Sequence, residues 1–94
     1  MLYAPNLYTF LYFEKSHLKS KKYNAVLQNK KTLREIRIPF GATGYQQYCD
    51  KTGLEIYSNL DHLDLKRRVL YKKRHIHDTN KKYSASWFAL KYLW

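Results

Sequence analysis

Between Lys66 and His77 the sequence KRRVLYKKRHIH places six Lys and Arg side chains and two histidines within twelve residues. Cations at this density suit phosphate chemistry. An arginine forks onto two phosphate oxygens, and a tyrosine among them stacks on a base or bonds a phosphate oxygen. On a helix, Arg67, Leu70 and Arg74 fall on one line at i, i+3, i+7, and Arg68, Tyr71 and His75 on a second. Lys72 and Lys73 lie between them, and Lys81 and Lys82 extend the run past its single acid, Asp78. The candidate nucleic-acid-binding set is therefore Arg67, Arg68, Tyr71, Lys72, Lys73, Arg74, His75, Lys81 and Lys82. The signal is electrostatic, so it implies affinity for a polyanion without sequence specificity. No helix-turn-helix, zinc-finger or RNA-binding sheet motif accompanies it.

Other chemistries find weaker footing. His75 and His77 are two apart and diverge by about 200° on a helix, so they cannot share an ion. Asp61, His62 and Asp64 have the composition of an acid/base group, but at the start of a helix they serve more simply as caps. Cys49, the only cysteine, has no partner for an internal disulfide, and as a nucleophile it would need a histidine and an oxyanion site that the sequence does not place. GATG, residues 41–44, lacks the Lys-Ser/Thr of a phosphate-cradling loop. The expectation is a non-enzymatic protein without metal or cofactor.

The chain as a whole sharpens the view of partners. Its 94 residues make one small domain with a marginal core. Aromatic residues reach 17%, ten of them tyrosine, which bury a ring while the hydroxyl stays wet or bonded. Eighteen Lys and Arg oppose seven Asp and Glu, for a net charge of +11. Self-repulsion at that charge is relieved by a polyanion. Nucleic acid, bound non-specifically, is the expected partner, with acidic protein as the alternative. The core's thinness leaves homo-oligomerisation open. No apolar stretch approaches the roughly 18 residues of a membrane span, so no membrane partner is expected. The N-terminal MLYAPNLYTFLYF has no basic region ahead of it and is not read as a signal peptide.

The elements that must position these groups read as follows. Residues 1–20 form an aromatic arm, in which Leu7, Phe10 and Leu11 fit a helical face and Tyr8, Phe10 and Tyr12 fit a strand; the pattern leaves both open. Residues 21–94 form the domain. In KYNAVLQ, Tyr23, Ala25 and Leu27 alternate with Asn24, Val26 and Gln28. NKKT then supplies a turn, and LREIRIPF returns as the second strand of a hairpin. Leu33, Ile36, Ile38 and Phe40 break strict alternation, which predicts a bulge there, and Pro39 is expected to stop the ladder. The glycine-bearing stretch 41–53 is expected to turn and deliver Tyr45 and Tyr48 onto the sheet. A helix over about 62–77 follows, capped by Asn59, Asp61 or Asp64, with Leu65, Val69 and Ile76 on one narrow stripe and Leu63 and Leu70 on another. Ser84 caps a last, apolar helix, ASWFALKYLW, that must pack on the hairpin or a neighbour. The fold class is α+β: a small antiparallel sheet followed by two C-terminal helices.

Over residues 22–94 the chain resembles a family of small basic proteins of unknown function encoded by nucleocytoplasmic large DNA viruses of algae and amoebae, phycodnavirus- and mimivirus-like. The resemblance is carried by Gly41, Gly44, Tyr45 and Tyr48 in the glycine-tyrosine turn, by Asp61, His62 and Asp64 at the helix start, by Arg67, Arg68, Tyr71, Arg74 and His75 along the helix, and by Ser84, Phe88, Leu93 and Trp94 in the aromatic tail. It implies viral origin and a setting in the virion or the viral factory, in host cytoplasm or nucleus, with no assigned reaction. The aromatic residues 1–20 depart from the shorter family members and add weight to contacts with other virion proteins, which makes a minor structural protein the alternative function.

Overall fold

A computed structural model describes residues 3–94. Three antiparallel strands, β1 (Tyr8–Lys15), β2 (Lys21–Asn29) and β3 (Glu35–Ala42), form a sheet in the order β1-β2-β3. Two helices follow, α1 (Leu65–Arg74) and α2 (Ala85–Tyr92), with short 3₁₀ turns at Ser58–Leu60 and Ile76–Asn80. This is the α+β arrangement expected.

β2 alternates as its sequence requires. Tyr23, Ala25 and Leu27 face the core and meet Ile38 and Phe40 of β3. Helix α2 closes that face with Phe88, and Leu93 follows just past its end. Phe88 is the hub, with its ring within 6.2 Å, centroid to centroid, of Phe10, Phe13, Phe40 and Tyr92. Ser84 caps α2 by accepting from the Trp87 amide at 3.2 Å. At the hairpin turn the Asn29 side chain accepts from the Lys31 and Thr32 amides, an Asx-type turn.

Several expectations need correction. The segment read as an arm contains a full strand of the sheet: β1 pairs with β2 from Tyr8 opposite Asn29 to Lys15 opposite Tyr23. Met1 and Leu2 lie outside the described residues. The bulge is in β1, between Phe10 and Tyr12, and not in β3. Its physical reason is parity: Phe10 and Phe13 are three apart, yet both pair with core-facing residues, Leu27 and Ala25, and one extra residue brings them to the same face. Leu33 stands outside β3 in the turn, exposed and at φ 63°, so Ile36, Ile38 and Phe40 alternate cleanly. Pro39 does not stop the ladder; it sits opposite Asn24 and the strand runs on to Ala42. β3 has a neighbour on one side only, and a proline is tolerated where its nitrogen faces the open edge.

The helix expected over 62–77 spans only 65–74. Of its candidate caps, Asp64 serves, accepting from the Arg67 amide at 3.2 Å. Asp61 turns inward instead, accepting from the Gln47 side-chain amide at 2.7 Å and the Asp50 amide at 3.0 Å. Asn59 lies within the preceding 3₁₀ turn. The loop between β3 and α1 is tied to the sheet by Tyr23. Its hydroxyl donates to Asp50 and accepts from the amides of Ile56 and Tyr57. Burial and the Asp50 carboxylate push the Tyr23 phenol up to about 12. The loop leaves Tyr45 72% exposed and not packed onto the sheet's core face.

Candidate nucleic-acid interface

Helix α1 buries none of its residues. Its apolar stripes do not hold it: Leu65, Val69, Leu70 and the following Ile76 are all exposed. The second line of side chains, Arg68, Tyr71 and His75, does. The Tyr71 ring lies on Trp94 with centroids 4.0 Å apart and planes 4° from parallel. His75 stacks on Tyr71 at 4.2 Å, and its Nδ1 lies 3.0 Å from an Asp78 carboxylate oxygen. Since Trp94 and His75 cannot share one face at that spacing, both faces of Tyr71 are covered. Arg68 Nε donates to the Trp94 backbone oxygen at 2.8 Å, with the guanidinium over the Tyr48 ring. His62 adds to the cluster, 5.1 Å from the Trp94 ring. Arg68, Tyr71 and His75, together with Trp94, thus fasten α1 to the body, and Tyr71 offers no free face to a base.

The first line, Arg67, Leu70 and Arg74, borders a cleft of about 430 Å³ between α1 and the end of the sheet. Arg67 Nη1 donates to Gln46 Oε1 at 2.9 Å, a neutral acceptor. Tyr45 stands across the mouth. At the base is Lys22, 2% exposed, whose Nζ donates to the Tyr45 backbone oxygen at 2.7 Å and to Gln47 Oε1 at 2.6 Å. Burial holds its pKa below the ordinary lysine range, while Asp50 and Asp61 pull it back up. An ammonium carries three donors, and among the described residues the third finds no protein acceptor.

The nine sequence-predicted residues therefore do not form one surface. Arg67 and Arg74 face the cleft. Lys72 and Lys73 face a second groove, toward α2. Arg68, Tyr71 and His75 are engaged within the fold. Lys81 lies 3.7 Å from an Asp78 oxygen and Lys82 covers the Tyr83 ring. Sequence reasoning missed Lys22, Gln46, Tyr45 and Trp94 as cleft residues. Lys22 reads as an ordinary polar position of a strand, and the only cue to Tyr45 was the glycine beside it.

Two features shape the chemistry. Among the described residues, Arg37 and Lys81 are the only Lys or Arg that pair with side-chain carboxylates; of the six cations of α1, Arg68 is bonded to the Trp94 main-chain oxygen and none pairs with an Asp or Glu. Asp61, His62 and Asp64 do not converge as an acid/base group. His62 Nδ1 accepts from the Asp64 amide at 2.9 Å, and its Nε2 is buried with no partner. Burial and the nearby Arg67 hold its pKa below the ordinary histidine value, against Asp64 and Asp61. Among the described residues no three His, Cys, Asp or Glu side chains come together as a metal set, and no helix is long and apolar enough to cross a membrane. Compared with known proteins, the chain matches no family model, no curated sequence and no solved structure.

Proposed function

We propose that this chain is a non-enzymatic nucleic-acid-binding protein that holds phosphates on α1, with Arg67 and Arg74 at the rim of the cleft and Lys72 and Lys73 flanking them. One observation carries the reading: α1 buries none of its residues and none of its six Lys and Arg pairs with an Asp or Glu side chain. A phosphate backbone supplies the missing charge and releases its own counterions on binding. Arg67 and Arg74, at i and i+7, lie about two turns or 10 Å apart along the helix, a spacing suited to two phosphates of one strand. Tyr45, with its ring exposed at the cleft mouth, takes the stacking role that Tyr71 cannot. The virion or viral factory as its setting rests on the family resemblance alone.

The test is affinity for labelled oligonucleotides across a salt series. The reading predicts log K falling linearly with log salt by about 0.7–0.9 per phosphate contact; affinity independent of salt refutes it. A second reading, a minor structural protein of the virion, is favoured by the apolar side chains that α1 turns outward. It predicts co-purification with capsid components, checked by virion proteomics.

A further inference from the structure

The groove between α1 and α2 is separate from the cleft and shares only Lys72 and Lys73 with the phosphate-binding reading. Its volume is about 570 Å³. Val69 and Ile76 form one wall, 64% and 59% exposed, and Trp87 and Leu90 of α2 form the other. Val69 of α1 and Ile76 of the following 3₁₀ turn share one apolar stripe, which stays in solvent although it lies across the groove from α2. The groove's charged residues are all cationic: Lys72, Lys73 and Lys91 line it, beside the neutral Thr79. Lys91 sits 4.9 Å above the Trp87 ring.

We propose that this groove receives an acidic amphipathic helix from another protein, its apolar side chains set between Val69, Ile76, Trp87 and Leu90 and its carboxylates against Lys72, Lys73 and Lys91. The apolar walls call for an apolar ridge, and a concave groove accepts a helix face at i, i+3, i+4, i+7 spacing. The lysine rim selects the sign of the partner. Nucleic acid has the charge but no apolar ridge. A second copy of this chain would set lysine against lysine. A bilayer surface meets a convex face more readily than a recess. Lys72 adds support: burial and the nearby Arg68 and Lys51 depress its pKa, and an incoming carboxylate relieves that repulsion.

The test uses the full chain and a labelled synthetic peptide with Leu at i, i+3, i+4 and i+7 and Glu elsewhere. A scrambled peptide of identical composition is the control for charge. Val69→Gln/Ile76→Gln keeps net charge and alters two exposed positions, so folding is preserved and checked by circular dichroism. The expected result is binding of the ordered peptide, with losses of about tenfold or more both for the scrambled peptide and for the double variant, and oligonucleotide affinity unchanged. Equal binding of ordered and scrambled peptides, or no effect of the double variant, overturns the proposal. So does peptide-independent binding to anionic phospholipid vesicles, or self-association in light scattering, if the double variant abolishes it. Failure here leaves the salt-dependence of oligonucleotide binding untouched, so the two readings fail separately.

Discussion

Replacing Trp94 with alanine should release the basic helix while leaving the sheet folded. Helix α1 has ten residues and buries none of them, and a helix that short is not stable in water by itself. Its anchorage is the Tyr71–Trp94 stack at 4.0 Å, the Arg68 bond to the Trp94 backbone oxygen and the Arg67 bond to Gln46. Trp94→Ala keeps the backbone oxygen but removes the ring. Full burial would set the loss at about 3–5 kcal/mol; Trp94 is half-buried, so about 2–3 kcal/mol is the fitting figure, of which about 0.5–1.5 is the stack itself. That amount should speed local opening of residues 65–74 by about 30- to 150-fold in amide exchange. Hydrogen exchange resolved by peptide checks it, with the amides of β2, Tyr23–Leu27, as internal reference. Trp94→Phe should keep most of the protection. Unchanged exchange in α1, or an equal acceleration in α1 and β2, would refute the idea that one aromatic contact holds the helix.

Three further outcomes follow from the geometry. Gly41→Ala should destabilise by about 2–4 kcal/mol in urea unfolding, because φ is +76° and the new Cβ would lie 2.7 Å from Leu93 Cδ1. Tyr23→Phe should cost about 1.5–3 kcal/mol, since the Asp50 carboxylate loses its donor. The same substitution should remove a loss of stability between pH 10 and about 12, where the unfolded phenol ionises and the folded one does not. His62 has the opposite proton linkage: its folded pKa lies below 6.5, so the unfolded chain takes up a proton first and stability falls as pH drops below that value. The drop should be shallower in His62→Asn, measured by thermal unfolding at a series of pH values.

Much of the fold is legible in local pattern. Tyr23, Ala25 and Leu27 alternate onto the face of β2 that holds the aromatic core, although Lys22, Asn24 and Val26 opposite are buried too, and Asp64 and Ser84 announce the helices they cap. β1 was obscured because its bulge puts Phe10 and Phe13 out of phase with any simple period. Along α1 the two lines of side chains were legible as groups, but which one faces inward was not. That choice depends on Trp94, 23 positions beyond Tyr71, whose ring is the surface on which the helix lands. The same long-range step hid Lys22, whose partners Tyr45 and Gln47 lie 23 and 25 residues away. Periodicity placed Leu65, Val69 and Ile76 on one narrow stripe without saying what would cover it. Aromatic stacking secures the helix and leaves Val69 and Ile76 in solvent.

The placement of the polyanion site on α1 is tested most directly by moving the same loss of charge around the molecule. Arg67→Ala/Arg74→Ala removes two cations at the cleft; Lys30→Ala/Lys31→Ala removes two exposed cations at the far β2–β3 turn. Oligonucleotide affinity is measured for each across a salt series. The expected result is a decrease in the salt slope of about 1.4–1.8 for the arginine pair, with little change for the lysine pair. Equal decreases for both pairs, or none for the arginines, would contradict a phosphate site on this helix.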